Sequence, residues 1–171
     1  MKWLKTDDNF LEPDSFQHLQ TIMFGEELPW YYMDNIDTLD DVDKFQFVHC
    51  FYDHDKGITS KYYDIFRFIF DKVKAKKLYR IKANLITRTP RKEIGIFHTD
   101  IPSNLKSPSD KYITSILYMN TNDGFTEFEN GHKVENVANR FVTFPEETKH
   151  RGTSCTDKKV RIVINFNYLM E

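Results

Sequence analysis

The sequence predicts a mainly β protein with supporting N-terminal helices (α+β), built on a double-stranded β-helix, or jelly roll. Three observations predict it. From Leu78 onward the chain reads as about eight short strands, at 79–86, 94–99, 112–120, 125–129, 132–136, 140–144, 149–154 and 160–168, spaced as in a sandwich or barrel. The Asn130-Gly131 pair between the fourth and fifth is the preferred chemistry of a two-residue hairpin turn, which suits a jelly roll with one tight central hairpin. Before Leu78 the hydrophobic period is largely helical.

Taken in order, "EPDSFQHLQTIMFG" opens with Asp14 and Gln17 spaced as a capping box. Phe16, Leu19, Ile22 and Met23 recur at helical spacing, and Gly25 stops the helix. "FQFVHCFY" reads as a strand. "SKYYDIFRFIFDKVKAKK" places Tyr62, Ile65, Phe66, Ile69, Phe70 and Val73 on one stripe, with a lysine-rich end suited to a helix C-terminus. Such a helix needs a sheet to cover. The final strand, "VRIVINFNY", supplies one face for it: Ile162, Ile164, Phe166 and Tyr168 alternate with Arg161, Val163, Asn165 and Asn167, so the apolar face buries the helix and the polar face looks into the barrel. The 171 residues suit a single domain 1–171, in which 1–77 supplies supporting helices and a strand and 78–171 the jelly-roll core.

Composition excludes several classes. With 24 basic and 26 acidic residues the net charge is −2, so nothing suggests a general electrostatic grip on nucleic acid or an anionic membrane. No apolar run approaches the roughly 18 residues that span a bilayer, and "MKWLKTDDNFLEPD" has no apolar leader core; a soluble, cytoplasmic protein is expected. Cys50 and Cys155 lie far apart without a CxxC pattern, which fits reduced thiols rather than a zinc ribbon or disulfide scaffold.

The chemistry concentrates in two stretches. In "EIGIFHTDIPS" an extended strand puts Ile94, Ile96, His98 and Asp100 on one face, so a polar pair continues an apolar face. An imidazole and a carboxylate so placed offer two corners of a metal's coordination sphere; alone, they are equally an ion pair. In "RFVTFPEETKHRGTSCTDKKVRIVINF", His150 follows His98 by 52 residues and shares its face only with the small Gly152 and Ser154, which leaves room beside the ring. Arg161 comes eleven residues later and begins the polar face of the last strand, where a guanidinium is costly unless an anion meets it. A further cluster, His49, Asp53, His54 and Asp55, has the start of a calcium loop. Ile58 and Asp64 stand where that loop needs glycine and glutamate, so it reads as an exposed polar turn. His18 and His132 read as surface residues.

His98, Asp100 and His150 together make a two-histidine, one-carboxylate facial triad of the kind that holds ferrous iron. The order His-x-Asp, a His some fifty residues on, then Arg, within a jelly roll, resembles the 2-oxoglutarate and iron(II)-dependent oxygenases. It is most similar to their prolyl 4-hydroxylase-like branch, which "YITSILYMN" and "NRFVTF" also resemble. The resemblance covers about residues 79–169. It implies that His98, Asp100 and His150 bind Fe(II), that Arg161 pairs with the distal carboxylate of 2-oxoglutarate, and that Tyr118 adds a hydrogen bond to it. Asn84 stands where the branch usually has a tyrosine on the first barrel strand. The implied activity is hydroxylation of a C–H bond in a peptide, of prolyl type, or in a small molecule. Oxygen and 2-oxoglutarate are consumed, succinate and carbon dioxide released, and ascorbate would be a supporting reductant. The alternatives are a catalytically silent jelly-roll binding module and a cupin-type iron enzyme that uses no oxoacid. A nucleic-acid demethylase, drawing on Arg88, Arg91 and Lys92, ranks below these. Substrate and oligomeric state are not legible in the sequence. The loops "RTPRKE" and "IPSNLKSPSDK" are expected to rim the pocket.

Overall fold

A computed structural model describes residues 4–36, 44–102 and 111–170. The elements run β1 (Lys5–Asp7), α1 (Pro13–Phe24), β2 (Tyr31–Met33), β3 (Gln46–Asp53), β4 (Gly57–Ile58), a 3-10 turn (Tyr63–Phe66) and α2 (Arg67–Val73). Then follow β5 (Ala75–Thr87), β6 (Tyr112–Tyr118), β7 (Phe125–Phe128), β8 (Lys133–Glu135), β9 (Phe141–Pro145), β10 (His150–Gly152) and β11 (Val160–Met170). The large antiparallel sheet has the order β1-β9-β6-β11-β5-β3-β2, with β4 paired to β3; a smaller sheet has the order β10-β7-β8. This is the jelly roll that the strand spacing predicts.

Alternation along β11 and β6 divides the interior. Ile162, Ile164, Phe166 and Tyr168 face outward with Ile113 and Leu117, and pack against Phe16, Leu19 and Met23 of α1 and Phe66 and Ile69 of the second helical segment. Phe66 is fully buried and meets Phe51 and Phe166 edge-on, at 4.8 and 5.4 Å between ring centres. A side chain of this size is stabilised by roughly 2–3 kcal/mol on burial. On the other face, Ile116, Tyr118 and Val163 join Phe128, Val134, Val142 and Phe144 in a second core, which binds the small sheet to the large one. The predicted division of labour on the last strand is therefore observed.

Several boundaries differ from expectation. α1 begins at Pro13 with Glu12 as its N-cap and no side-chain cap, so Asp14 and Gln17 form no capping box. A proline is tolerated there because the first helical N–H has no intrahelical partner. The second helix is much shorter than its stripe: Lys74 adopts a left-handed conformation (φ 54°, ψ 48°), and Ala75 already pairs with Met170. Good helix formers are overridden by pairing with β11, and β5 crosses the expected boundary at residue 77. The central hairpin has a three-residue loop rather than two, with Phe128 N–H donating to His132 O and Gly131 at φ +84°. Strands β1, β2 and β4 were not anticipated; each is two or three residues long and exists through its pairing.

Asn139 ties the N-terminal segment to the jelly roll. It is left-handed (φ 62°), and its side chain accepts from Leu11 N–H at 2.9 Å and donates to Leu11 O at 2.8 Å. Phe10, whose N–H donates to Asn139 O, stacks on Phe141 at 4.0 Å. Both Asn139→Gly and Asn139→Ala lose two buried bonds, each worth about 1 kcal/mol or more. Alanine also bears the left-handed strain, about 1 kcal/mol further. The expected order of urea-unfolding stability is wild type, then glycine, then alanine; equal stability of the two variants would show that the backbone there is unstrained.

Candidate metal centre

His98 and His150 are joined through the backbone before they meet through their rings. Each N–H donates to the other's carbonyl at 3.0 Å, an isolated antiparallel bridge that ties the segment after β5 to β10. Segment 94–99 is thus not the continuous strand the sequence suggests. It meets β10 and its continuation through bridges at Ile94–Thr153 and His98–His150 and a bond from Gly95 N–H to Gly152 O, and Ile94 and Ile96 are exposed rather than part of a buried apolar face. The bridge is enough to set the two rings 4.8 Å apart, centre to centre. One ligand atom from each of His98, Asp100 and His150 lies within 4.8 Å of the others.

Both imidazoles are oriented from behind. His98 Nδ1 lies 3.0 Å from Ile96 O and His150 Nδ1 3.2 Å from Thr148 O. A carbonyl only accepts, so each Nδ1 carries the proton and each Nε2 keeps a lone pair for a metal. Burial pushes the His150 ring below the ordinary histidine range, opposed by the Asp100 charge, so the neutral, ligating form is favoured at neutral pH.

Asp100 is buried, and burial alone would raise its pKa. In acid, where the imidazoles are charged, His150, Arg80 and His98, with the Asn167 amide, outweigh this and hold the carboxyl well below its usual range. Asn167 Nδ2 donates to Oδ2 at 2.8 Å, with Asn165 Nδ2 at 3.4 Å. Arg80 Nη2 lies 3.5 Å from Oδ1 and donates to the Asp100 carbonyl at 3.1 Å. Glu146, also buried, accepts the Ile101 N–H at 2.8 Å and anchors the backbone just past the carboxylate.

The three residues open into a pocket of about 130 Å3 between the sheets, roughly ten times what one water needs. Arg161 and Asn84 line the same pocket. Arg161 is 3% exposed; its Nη2 donates to Thr126 Oγ1 at 3.3 Å, and its guanidinium fills the room that Gly152 leaves. A Cβ on Gly124 would sit 2.9 Å from the Arg161 stem, so that glycine permits a close approach. Tyr118 does not line the pocket. It lies behind Arg161, its ring centre 5.9 Å from the guanidinium carbon, and its hydroxyl donates to Thr126 Oγ1 at 2.8 Å. Burial raises the Tyr118 phenol's pKa, against the pull of Arg161, and keeps it protonated.

Sequence reasoning missed Arg80, Thr126, Glu146 and Gly124. Arg80 was findable, since alternation along β5 sets Arg80, Lys82 and Asn84 on one face. Glu146 and Thr126 carried no signal, because their roles come from loops and strands distant in sequence. Other expectations resolve differently. His49 is buried, not in an exposed turn, with ring nitrogens 2.7 Å from Pro29 O and 2.8 Å from Ser60 Oγ; Asp53, His54 and Asp55 do form a turn. His18 and His132 are exposed. From the loop "RTPRKE", Thr89 and Glu93 line a neighbouring hollow rather than this pocket, and Lys92 pairs with Asp123 at 3.3 Å. Most of the loop 101–111 lies outside the described residues. Among the described residues no helix is long and apolar enough to cross a membrane.

No family model and no curated protein sequence matches the chain. Solved structures do. The viral collagen prolyl hydroxylase of Paramecium Bursaria Chlorella virus-1, in its 2OG complex, superposes with a TM-score of 0.64 at 13% identity, covering 99% of this chain and 97% of that one. The Trichoplax adhaerens prolyl hydroxylase, in complex with a hypoxia inducible factor peptide fragment, gives 0.63 at 13% identity, covering 97% and 83%. The alpha ketoglutarate dependent epimerase SnoN of nogalamycin biosynthesis gives 0.67 at 10% identity, covering 98% and 78%. The fold is that of the 2OG-Fe(II) oxygenases. Within this fold, the present chain brings two histidines and an aspartate together on a pocket that Arg161 of β11 also lines.

The donor set, two neutral imidazole nitrogens and an ionised carboxylate with oriented supports, fits ferrous iron or another first-row divalent ion. In anaerobic iron(II) titrations, Asn167→Ala is expected to lower affinity roughly 10- to 100-fold and His150→Ala by more, since the first removes only a supporting hydrogen bond. Wild-type affinity should fall as the pH is taken below the ordinary histidine value of about 6.5, because His150 is shifted below it and a protonated imidazole has no lone pair to offer. Unchanged affinity in His150→Ala would make His150 a structural residue.

Proposed function

We propose that the protein is an Fe(II)- and 2-oxoglutarate-dependent dioxygenase that hydroxylates a C–H bond of a peptide, of prolyl type, or of a small molecule. The observation that carries this reading is the convergence of His98, Asp100 and His150 on one pocket that also holds the buried Arg161, in a chain with this fold. His98, Asp100 and His150 would hold the iron, which, with 2-oxoglutarate and oxygen, supplies the oxidising chemistry. One oxygen atom goes to the substrate C–H and the other to succinate, with carbon dioxide released.

The chain's own residues do the remaining work. The Nδ1 bonds to Ile96 O and Thr148 O hold both imidazoles in the ligating tautomer. Asn167 and Arg80 keep Asp100 ionised and turned toward the rings. Arg161, itself buried, offers a planar fork to the distal carboxylate of the cosubstrate beside the apolar side chains of Ile86, Ile116 and Val163, where a charge-assisted pair is strong. Thr126 receives both Arg161 and the Tyr118 hydroxyl, so Tyr118 acts here as a positioning residue that braces Thr126 under the guanidinium. Asn84 lies on the same wall, one strand across from Val163, within reach of the cosubstrate. The neighbouring folds include a peptide-bound prolyl hydroxylase and a natural-product epimerase, and both substrate types remain within the proposal.

Two measurements test the reading. Anaerobic iron(II) plus 2-oxoglutarate should produce a weak visible charge-transfer band absent with either alone, and in air succinate should form. Arg161→Ala should keep its iron but weaken 2-oxoglutarate binding by about 30- to 1,000-fold, the equivalent of roughly 2–4 kcal/mol for a desolvated charge-assisted pair. Arg161→Lys should fall between, restoring the charge but not the fork. Absence of the band, or equal oxoglutarate affinities in folded variants, would favour a cupin-type enzyme; absence of iron binding as well would leave a binding module.

A further inference from the structure

The metal pocket is small for what it has to hold. Sites that engulf a drug-sized molecule enclose roughly 300–1,000 Å3. This one has about 130 Å3, or some ten water-sized places. On the reading above, 2-oxoglutarate, the metal ion and an oxygen molecule take most of those places. The primary substrate must then lie over the mouth and reach in with its target group alone, so the surface beside the pocket selects it.

A second hollow, of about 100 Å3, adjoins the pocket, and Ile36, Ile86 and Gly152 line both. Phe45 also lines it, and the neighbouring Lys44 donates to Ile94 O at 3.0 Å, which brings the approach to β3 up to the segment that carries His98. Three hydroxyls of the hollow are already engaged. Thr89 Oγ1 and Ser154 Oγ meet each other, Ser154 Oγ accepts the Glu93 N–H at 2.8 Å, and Thr153 Oγ1 accepts the Phe125 N–H at 3.0 Å. With those groups satisfied, Ile36, Phe45 and Ile86 favour an apolar occupant. An apolar cavity of about 150 Å3 holds a benzene ring, so this smaller one suits a single aliphatic side chain.

The surface around the hollow has the same character. Tyr32, Phe45, Ile94 and Ile96 keep between 38% and 58% of their area exposed, and the Tyr32 and Phe45 rings lie 5.9 Å apart, centre to centre. Large apolar side chains gathered in water mark an interaction site, unlike ones scattered singly. The distances suit an extended chain. Gly152 stands two residues beyond His150 along β10 and Thr153 three, about 7 and 10 Å at the rise of a strand, and residues of an extended peptide are spaced alike.

We infer that the substrate is a polypeptide segment lying over the mouth, with its target residue at the metal and an aliphatic side chain, two or three residues away, in the second hollow. This rests on the oxygenase reading and chooses the peptide over the small molecule as the substrate class of that site.

The test uses the full-length protein, anaerobic, with Mn(II) in place of iron, and reads binding rather than turnover. 2-Oxoglutarate is titrated first. With it saturating, a synthetic pool of random decapeptides is passed over the immobilised protein and the retained sequences are aligned. They should be enriched in leucine, isoleucine, valine or methionine at one position, two or three residues from a second selected position. Changing that aliphatic residue to serine in the tightest retained peptide should weaken its binding about tenfold. The same change should matter less than about threefold in Phe45→Ser, which removes part of the wall, and in Thr87→Phe, which fills the hollow. Both variants should keep 2-oxoglutarate affinity within about twofold, because neither residue lines the metal pocket. Three results overturn the inference: no decapeptide retained, which leaves a small-molecule substrate; retained peptides with no aliphatic position; or a tenfold loss that persists in both variants, which would seat the side chain elsewhere. If 2-oxoglutarate fails to bind the wild type at all, the oxygenase reading falls and this inference falls with it.

Discussion

Asp100 is a charged carboxylate held nine-tenths out of water, and such a group persists in a protein interior only where its lone pairs and its charge are met. Here the partners come from three separate parts of the chain. Asn165 and Asn167 reach it from β11, Arg80 from β5, and Glu146 fixes the next backbone N–H from beyond β9. Each partner in turn depends on strand register: a slip of one residue on β11 would exchange the two asparagines for Phe166 and Ile164 and leave the carboxylate against hydrocarbon. The buried acid thus demands the register that the two cores independently favour.

That agreement is carried by β11. Its outward residues complete the core beneath the helices, Val163 belongs to the core between the sheets, and Arg161, Asn165 and Asn167 turn to the polar interior. One strand therefore supplies stability through one face and chemistry through the other. The polar face remains tolerable because its members are engaged along its length, with Arg161 on Thr126 at one end and Asn167 on Asp100 and Thr114 at the other. The small sheet gives Phe128 and Val134 to the second core, while β10 presents His150, Gly152 opens the space that Arg161 fills, and Thr126 comes from β7. It is the wall against which the chemistry-bearing face of the large sheet closes.

His98 and Asp100 come together for a reason other than the alternation that the sequence offers. Period-two alternation put His98 and Asp100 on one face, and the two do approach, with His98 Nε2 3.8 Å from Asp100 Oδ1. The apolar face that was to carry them is absent, since Ile94 and Ile96 are exposed. What places the ring is a pair of backbone hydrogen bonds to His150, a contact between residues 52 apart in sequence. Tyr118 is the converse. Its position on β6 was read correctly, but the side chain packs into the inter-sheet core and bonds to Thr126, which also receives Arg161.

By itself the sequence determined what depends on local period and residue chemistry: the β-rich C-terminal part, the helix beginning near Pro13, the two faces of the last strand, and a set of two histidines, an aspartate and an arginine whose order matches one chemistry. Alternation and side-chain type are properties of neighbours in the chain, so they are visible without a fold. Tertiary structure alone decided that α2 ends at Lys74 and yields to a longer β5, because pairing with β11 outweighs helix propensity. It also decided that Asn139 clamps Leu11, and that Arg80 stands behind Asp100 on the wall it shares with Lys82 and Asn84. These are contacts across more than a hundred residues, or between strands whose adjacency the topology sets. Their energies arise from burial and hydrogen bonding that no local stretch of sequence contains.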